Sequence, residues 1–198
     1  MRIQRGFSMI EVVITIAIMG ILMATAMPSV GNWLRNSRVR NTAESIQNGL
    51  QRARMEAIRL NRPVSFSLVS DLTNSCTLAS SSGSWVVSQS APTSHCGDAP
   101  STTIAPMLVA SGLMADGGGG TTVDARNAAA TAATSVTFNG FGQVATTSST
   151  TAIRTIDVTA TGAMPRRVEI SLGGIGRLCD PGVTTTGDTR ACTNALTN

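Results

Sequence analysis

Residues 7–27 read FSMIEVVITIAIMGILMATAM, with Glu11 as the only charge. At ~1.5 Å of rise per residue, a helix of ~20 such residues covers the ~30 Å hydrocarbon core of a bilayer. The piece before them, MRIQRG, is short and basic and ends in Gly6. An ordinary secretory signal has the opposite order, a shorter apolar core followed by a small-residue cleavage site. By the positive-inside rule Arg2 and Arg5 stay cytoplasmic, which sends the C-terminal bulk to the periplasm.

Glu11 needs its own account. A carboxylate within a spanning helix costs about 2.5–3.5 kcal/mol near the centre and less toward an end, so near the interface it could simply snorkel. A cut after Gly6 offers a second reading, because it creates an α-amino group on Phe7. That amine does not easily reach Glu11 of its own rigid helix, but the amine of a neighbouring subunit can. A buried ammonium–carboxylate pair between subunits would neutralise both charges and set the axial register of an assembly.

Downstream, Pro28 falls where the apolar helix meets water. A proline inside a helix removes one backbone bond and crowds the preceding turn. The helix is nevertheless expected to resume, kinked at Pro28, because Val39, Ala43, Ile46, Leu50, Ala53, Ala57 and Leu60 recur four and three apart. Arg35, Arg38, Arg40, Arg52, Arg54, Arg59 and Arg62 fall mostly off that stripe and read as a solvated face. Contact of that face with anionic headgroups or DNA is the sharper alternative. Pro63 then stops the helix.

After Pro63 the chain breaks into short β-type runs: Val64–Val69, Trp85–Val87, Met107–Val109, Val136–Phe138, Ile153–Thr159, Arg167–Leu172 and Ile175–Leu178. Asn139-Gly140, followed by Gly142-Gln143-Val144, reads as a hairpin turn. Gly117–Gly120 and Ala128–Ala133 read as a flexible insertion between strands. The four glycines lack the Gly-Lys-Ser/Thr ending of a phosphate loop, which argues against nucleotide binding there.

Composition agrees with a β-rich extracytoplasmic domain. Of the 198 residues 42% are hydrophobic and 13% charged, and every basic residue is arginine. The net charge of +4 would fall to +2 without Arg2 and Arg5, too mild a balance to mark a nucleic-acid binder. Cys76, Cys96, Cys179 and Cys192 form no C-x-x-C pair, so a zinc or thioredoxin-like site is poorly supported. Two disulfides in an oxidising compartment are expected, and sequence does not choose among the three connectivities. The local pairs, Cys76 with Cys96 and Cys179 with Cys192, are the favoured ones. Each would pin a Gly/Ser/Thr-rich loop, for about 3 kcal/mol in the chain-entropy model.

Gly6-Phe7-Ser8-Met9-Ile10-Glu11 resembles the prepilin cleavage signature of type IV pilins and type II secretion pseudopilins. The resemblance implies a prepilin peptidase that cuts after Gly6 and methylates Phe7, and it makes Glu11 the assembly carboxylate. Farther along, Thr137–Gly142 (TFNGFG), Val168–Cys179 (VEISLGGIGRLC) and the helix end Ala53–Ile58 (ARMEAI) are similar to the GspH/FimT class of minor pilins and pseudopilins. That class implies low-abundance subunits that prime a filament near its tip. Partners would be other minor and major pilins or pseudopilins, the inner membrane and its assembly platform. Asp180-Pro181 and the Cys179…Cys192 spacing look more like the type IV pilus branch, FimU or FimT, than the secretion branch.

Some FimT-like members bind DNA through a C-terminal Gly-Arg-x-Arg motif. Here Gly176-Arg177-Leu178-Cys179 has a cysteine in place of the second arginine, while Arg166, Arg167 and Arg190 could supply charge nearby. No aromatic residues interleave them, so base stacking is not suggested.

Together these readings predict an α+β, pilin-like chain. Residues 1–6 are a leader, 7–28 a transmembrane and assembly helix, 29–62 the amphipathic half of the same long helix, and 63–198 a periplasmic β-rich domain on an antiparallel sheet. The expected location is the bacterial inner membrane, single-pass, and then a pilus or pseudopilus. No cofactor, metal or catalytic set is expected. His95 stands beside Cys96, but a disulfide there removes the nucleophile of a Cys-His dyad. A subunit at the very top of a filament has none above it to pair with, so a Glu11-bearing chain belongs within or beneath the tip cap.

Overall fold

The computed structural model describes residues 8–114, 120–146, 150–185 and 187–193, with the side chains of 24–29 excepted. One helix, α1, runs Met9–Leu60 without a break, so Pro28 does not end it. The stripe read from sequence becomes its buried face. Val39, Ala43, Ile46, Ala53 and Ala57 are fully buried, Leu50 is 2% exposed, and Leu60 packs half-buried at the end of the row. The helix closes at Asn61, whose left-handed backbone (φ 51°) lets Arg62 N–H reach the Ala57 carbonyl at 3.2 Å. Pro63 cannot continue it.

Among the described residues eight strands follow: β1 Val64–Leu68, β2 Trp85–Ser88, β3 Leu108–Gly112, β4 Thr122–Arg126, β5 Ser135–Phe138, β6 Thr155–Thr159, β7 Arg166–Ile170 and β8 Gly176–Cys179. They form two four-stranded antiparallel sheets, ordered β3-β2-β1-β5 and β4-β6-β7-β8. The helix lies against strands of both. One core joins them: Phe66, Val87 and Phe138 from the first sheet meet Ile156, Val168 and Ile170 from the second beneath the stripe of α1. The helix approaches the first sheet closely at Gly49, where a Cβ would stand 2.8 Å from the rings of Phe66 and Trp85.

β2 is buried along its whole length, unlike a strand with one wet face. Its inner face, Trp85 and Val87, enters the main core. Its outer face, Val86, enters a small second cluster with Val69, Leu108 and the Cys76–Cys96 disulfide. The loop segment stapled by that disulfide therefore roofs the outside of the first sheet. The second disulfide, Cys179–Cys192, ties the chain after β8 back onto the end of that strand.

One expectation needs correction. The segment expected to be a flexible insertion holds β4, which pairs with β6 from Thr122↔Thr159 to Arg126↔Thr155 and buries Val123 and Ala125. The return through Ala128–Ala133 is an ordered turn in which Asn127 Oδ1 accepts from the N–H groups of Ala129 and Thr131, and Ala133 is buried. Gly117, Gly118 and Gly119 lie outside the described residues. The chain reverses after β5 in the expected hairpin turn: Asn139 N–H meets the Gln143 carbonyl, Ala145 N–H the Thr137 carbonyl at 2.8 Å, and Val144 bridges Phe138. The Val144 N–H reaches the Leu172 carbonyl, 3.0 Å away, and so links the two sheets.

Candidate assembly surface

The N-terminal half of α1 covers nothing in its own chain. Every large apolar side chain from Met9 to Met23 is exposed, from 45% at Val12 to 86% at Met9. Glu11 is exposed in the first turn, where the helix dipole favours a carboxylate. Gly6 and Phe7 lie outside the described residues. Among the described residues no helix is long and apolar enough to cross a membrane. The apolar side chains described before the excepted stretch end at Met23, short of the ~20 residues a span requires.

At the far end of α1 the two glycine motifs interlock. Gly142 and Gly174 both have left-handed backbones (φ 74° and 77°), and a Cβ on Gly174 would stand 2.0 Å from the Gly142 carbonyl oxygen. A Cβ on Gly142 would in turn strike Ile58, and Arg54 Nε donates to the Gly142 carbonyl at 2.9 Å. This junction leaves Phe141 (82% exposed), Ile175 and Ile58 on the surface around it.

The arginines considered for DNA do gather around β7, β8 and the C-terminal loop, but each is engaged within the chain. Arg166 pairs with Asp180 at 2.6 Å, and Arg167 holds Asp157 with two bonds of 2.7 and 2.9 Å. Arg177 donates to the Ala191 carbonyl, and Arg190 pairs with Asp188 at 2.7 Å. The Asp157 hydrogen bond raises the Arg167 pKa further, and Arg190 holds the Asp188 carboxyl down at about 2. The cleft beside them, about 640 Å³, is lined by Arg167, Arg177 and Asp188 among others, so its charges are mixed. Sequence reasoning missed these carboxylate partners because they come from neighbouring strands and loops.

His95 contacts Asp98 through Nδ1 at 2.8 Å, and its neighbour Cys96 is bonded to Cys76, so no thiol stands beside it. Among the described residues Glu169, Cys179 and Cys192 come close enough to suggest a metal site. Both sulfurs are spent in their mutual disulfide, and Glu169 Oε2 accepts from Thr193 N–H and Oγ1 at 2.9 and 2.7 Å. That set ties down the C-terminal loop; it does not present thiolates to an ion.

Comparison with known proteins bears on both ends of the chain. Residues 42–174 match the family described as Type II transport protein GspH, and residues 1–27 match the prokaryotic N-terminal methylation motif. A search of curated proteins gave no match. Two crystal structures of the type IV minor pilin FimU from Pseudomonas aeruginosa are similar. One has 19% identity and a TM-score of 0.45, covering 70% of this chain and 90% of that one; the other has 22% and 0.44, covering 72% and 87%.

Proposed function

The chain belongs to the GspH family of type IV pilin-like proteins, with the methylation motif of that class at its N-terminus, and from that premise we propose that it is a minor type IV pilin. In this reading it is processed by a prepilin peptidase after Gly6, methylated on Phe7, and held in the bacterial inner membrane by residues 7–28 with its β-rich domain in the periplasm. It then joins other minor and major pilins through the assembly platform, helping to prime a pilus and build its tip complex. Twitching, adhesion or DNA uptake would follow from that role. It acts as a structural subunit.

The observation that carries this reading is the exposed apolar half of α1 with a carboxylate near its start. In water such a surface is costly; lipid before assembly, and neighbouring helices after it, would cover it. Glu11 would then find its countercharge on the amine of an adjacent subunit. A bend at Pro28 would let the two halves of α1 follow different axes.

The family description favours a second reading, a minor pseudopilin of a type II secretion system. A DNA-binding role is the lesser alternative, weakened by the internal pairing of Arg166, Arg167, Arg177 and Arg190. A clean deletion complemented with wild type or Glu11→Ala separates the first two. Loss of surface pili with secretion intact is the expected result, and Glu11→Ala should fail to restore them. Loss of secretion with pili intact would make the protein a pseudopilin. Full rescue of both by Glu11→Ala would remove the assembly role of this carboxylate.

A further inference from the structure

Near Asn36, just before the buried stripe of α1 begins at Val39, the β6–β7 turn is pinned to the helix. Met164 N–H donates to Asn36 Oδ1 at 2.8 Å, and a Cβ on Gly162 would lie 3.6 Å from the Arg35 guanidinium. The contact closes a groove of about 260 Å³ lined by Trp33, Asn36, Ser37, Arg40, Met164 and Arg166. Trp33 is 67% exposed and Met164 61% exposed, so both present apolar surface at this end of the domain.

Three observations point to what covers it. The groove lies on the same helix as the exposed apolar half of α1: Trp33 is about 9 Å along the helix from residue 27, within reach of a headgroup layer. Its charge has one dominant sign. Arg35, Arg38 and Arg40 are exposed on this stretch of the helix, Arg40 pairs with the nearby acid Glu44 at 2.7 Å, and Arg35 hydrogen-bonds a neutral amide, Asn32 Oδ1, at 2.6 Å. The residue types also match. Indole rings favour the membrane–water interface, a thioether adapts to irregular apolar surroundings, and guanidinium forks fit phosphate oxygens.

We propose that the base of the domain docks on an anionic phospholipid surface, with Trp33 and Met164 entering the headgroup–acyl boundary while Arg35 and Arg38 meet lipid phosphates. This rests on the membrane-anchored reading above and deepens it: the domain sits on the bilayer, oriented by its β6–β7 turn, and does not swing freely on its helix. Because Trp33 follows any span closely in sequence, its position alone does not test docking. Met164 does, since it reaches the membrane only if the folded domain is seated.

The test uses the full chain in vesicles of phosphatidylcholine, with or without phosphatidylglycerol, containing lipids brominated near the headgroup or along the acyl chain. Single-tryptophan versions are made on a Trp33→Phe, Trp85→Phe background, one carrying Met164→Trp and one Leu22→Trp. Retention of near-ultraviolet dichroism from the disulfides checks folding. The expected result is quenching at position 22 by acyl bromines and at position 164 by headgroup bromines. Quenching at 164 should fall several-fold without phosphatidylglycerol, or with Arg35→Glu and Arg38→Glu together. Position 22 quenched with position 164 dark to bromine would overturn the docking while leaving the span intact. Equal quenching at 164 with and without phosphatidylglycerol would also overturn it, because the anionic headgroup is what the arginines are proposed to read. No quenching at position 22 would overturn the membrane reading itself.

Discussion

Gly20 and Gly49 belong to the same helix in opposite surroundings. A Cβ on Gly20 would meet nothing within 4 Å, whereas one on Gly49 would run into Phe66 and Trp85 at 2.8 Å. The contrast extends along α1. From Met9 to Met23 the apolar residues point all round the helix and are exposed; from Val39 to Ala57 one stripe of them is buried. A helix half that is apolar on every side is written for a uniform apolar medium or a ring of neighbours, and one with a single stripe for one wall. The second half owes its order to its own domain, while the first depends on whatever surrounds it.

The largest test of that difference places a charge in each half. Ile46→Asp would bury an unpaired carboxylate in the main core and should leave the domain unfolded, read as loss of the cooperative melt. Ile18→Asp should leave the melting temperature of the domain unchanged while abolishing membrane insertion. If both variants melted alike, the division of α1 into two environments would be wrong.

A subtler test uses the glycines. Alanine normally stabilises a helix interior by about 1 kcal/mol over glycine. Gly49→Ala should reverse that sign, because its methyl group meets two aromatic rings that are themselves close-packed, with centroids 5.8 Å apart. A net loss of about 1–3 kcal/mol is expected in thermal or urea denaturation. Gly20→Ala should leave domain stability unmoved.

The smallest effect is on the wet side of the packed half. The hydrogen bond from Arg59 holds the Glu56 carboxyl below its ordinary range. A carboxylate whose pKa is lowered by folding adds stability above its unfolded value, ~4.3, and loses it as pH falls through the lower folded value. Domain stability should therefore dip slightly in acid, and less so in Glu56→Gln. The dip is marginal because Arg59 stands in solvent. A large dip would mean that this face of the helix is covered.

The helix was legible because its period is local: Val39 to Leu60 repeat within one element, and the residue spacing alone names the buried side. Most strands were legible for the same reason, being short runs of β-branched and aromatic residues between turn formers. β4 escaped because Thr122-Val123-Asp124-Ala125-Arg126 sits at a sheet edge, where alternate positions stay wet, and its apolar pair is one valine and one small alanine. The division into two sheets depends on pairings between distant segments that no window of sequence contains. The same holds for the arginines near the C-terminus. Their number was plain, but Asp157 opposite Arg167 and Asp180 beside Arg166 are partners set by strand register and loop return. The base groove was missed because Met164 looks like an ordinary turn residue until the turn is seen against Asn36.

The order in which the chain visits its sheets has a mechanical consequence. After β3 in the first sheet it crosses to lay down β4 in the second, returns for β5 in the first, and crosses again for β6 to β8. Helix α1 rests on both sheets. Tension applied along α1 therefore enters the two sheets in parallel, and neither can be peeled off while the crossings on either side of β4 and β5 hold it to the other. A subunit drawn out of a bilayer by its helix would resist as one body, yielding all at once or staying whole.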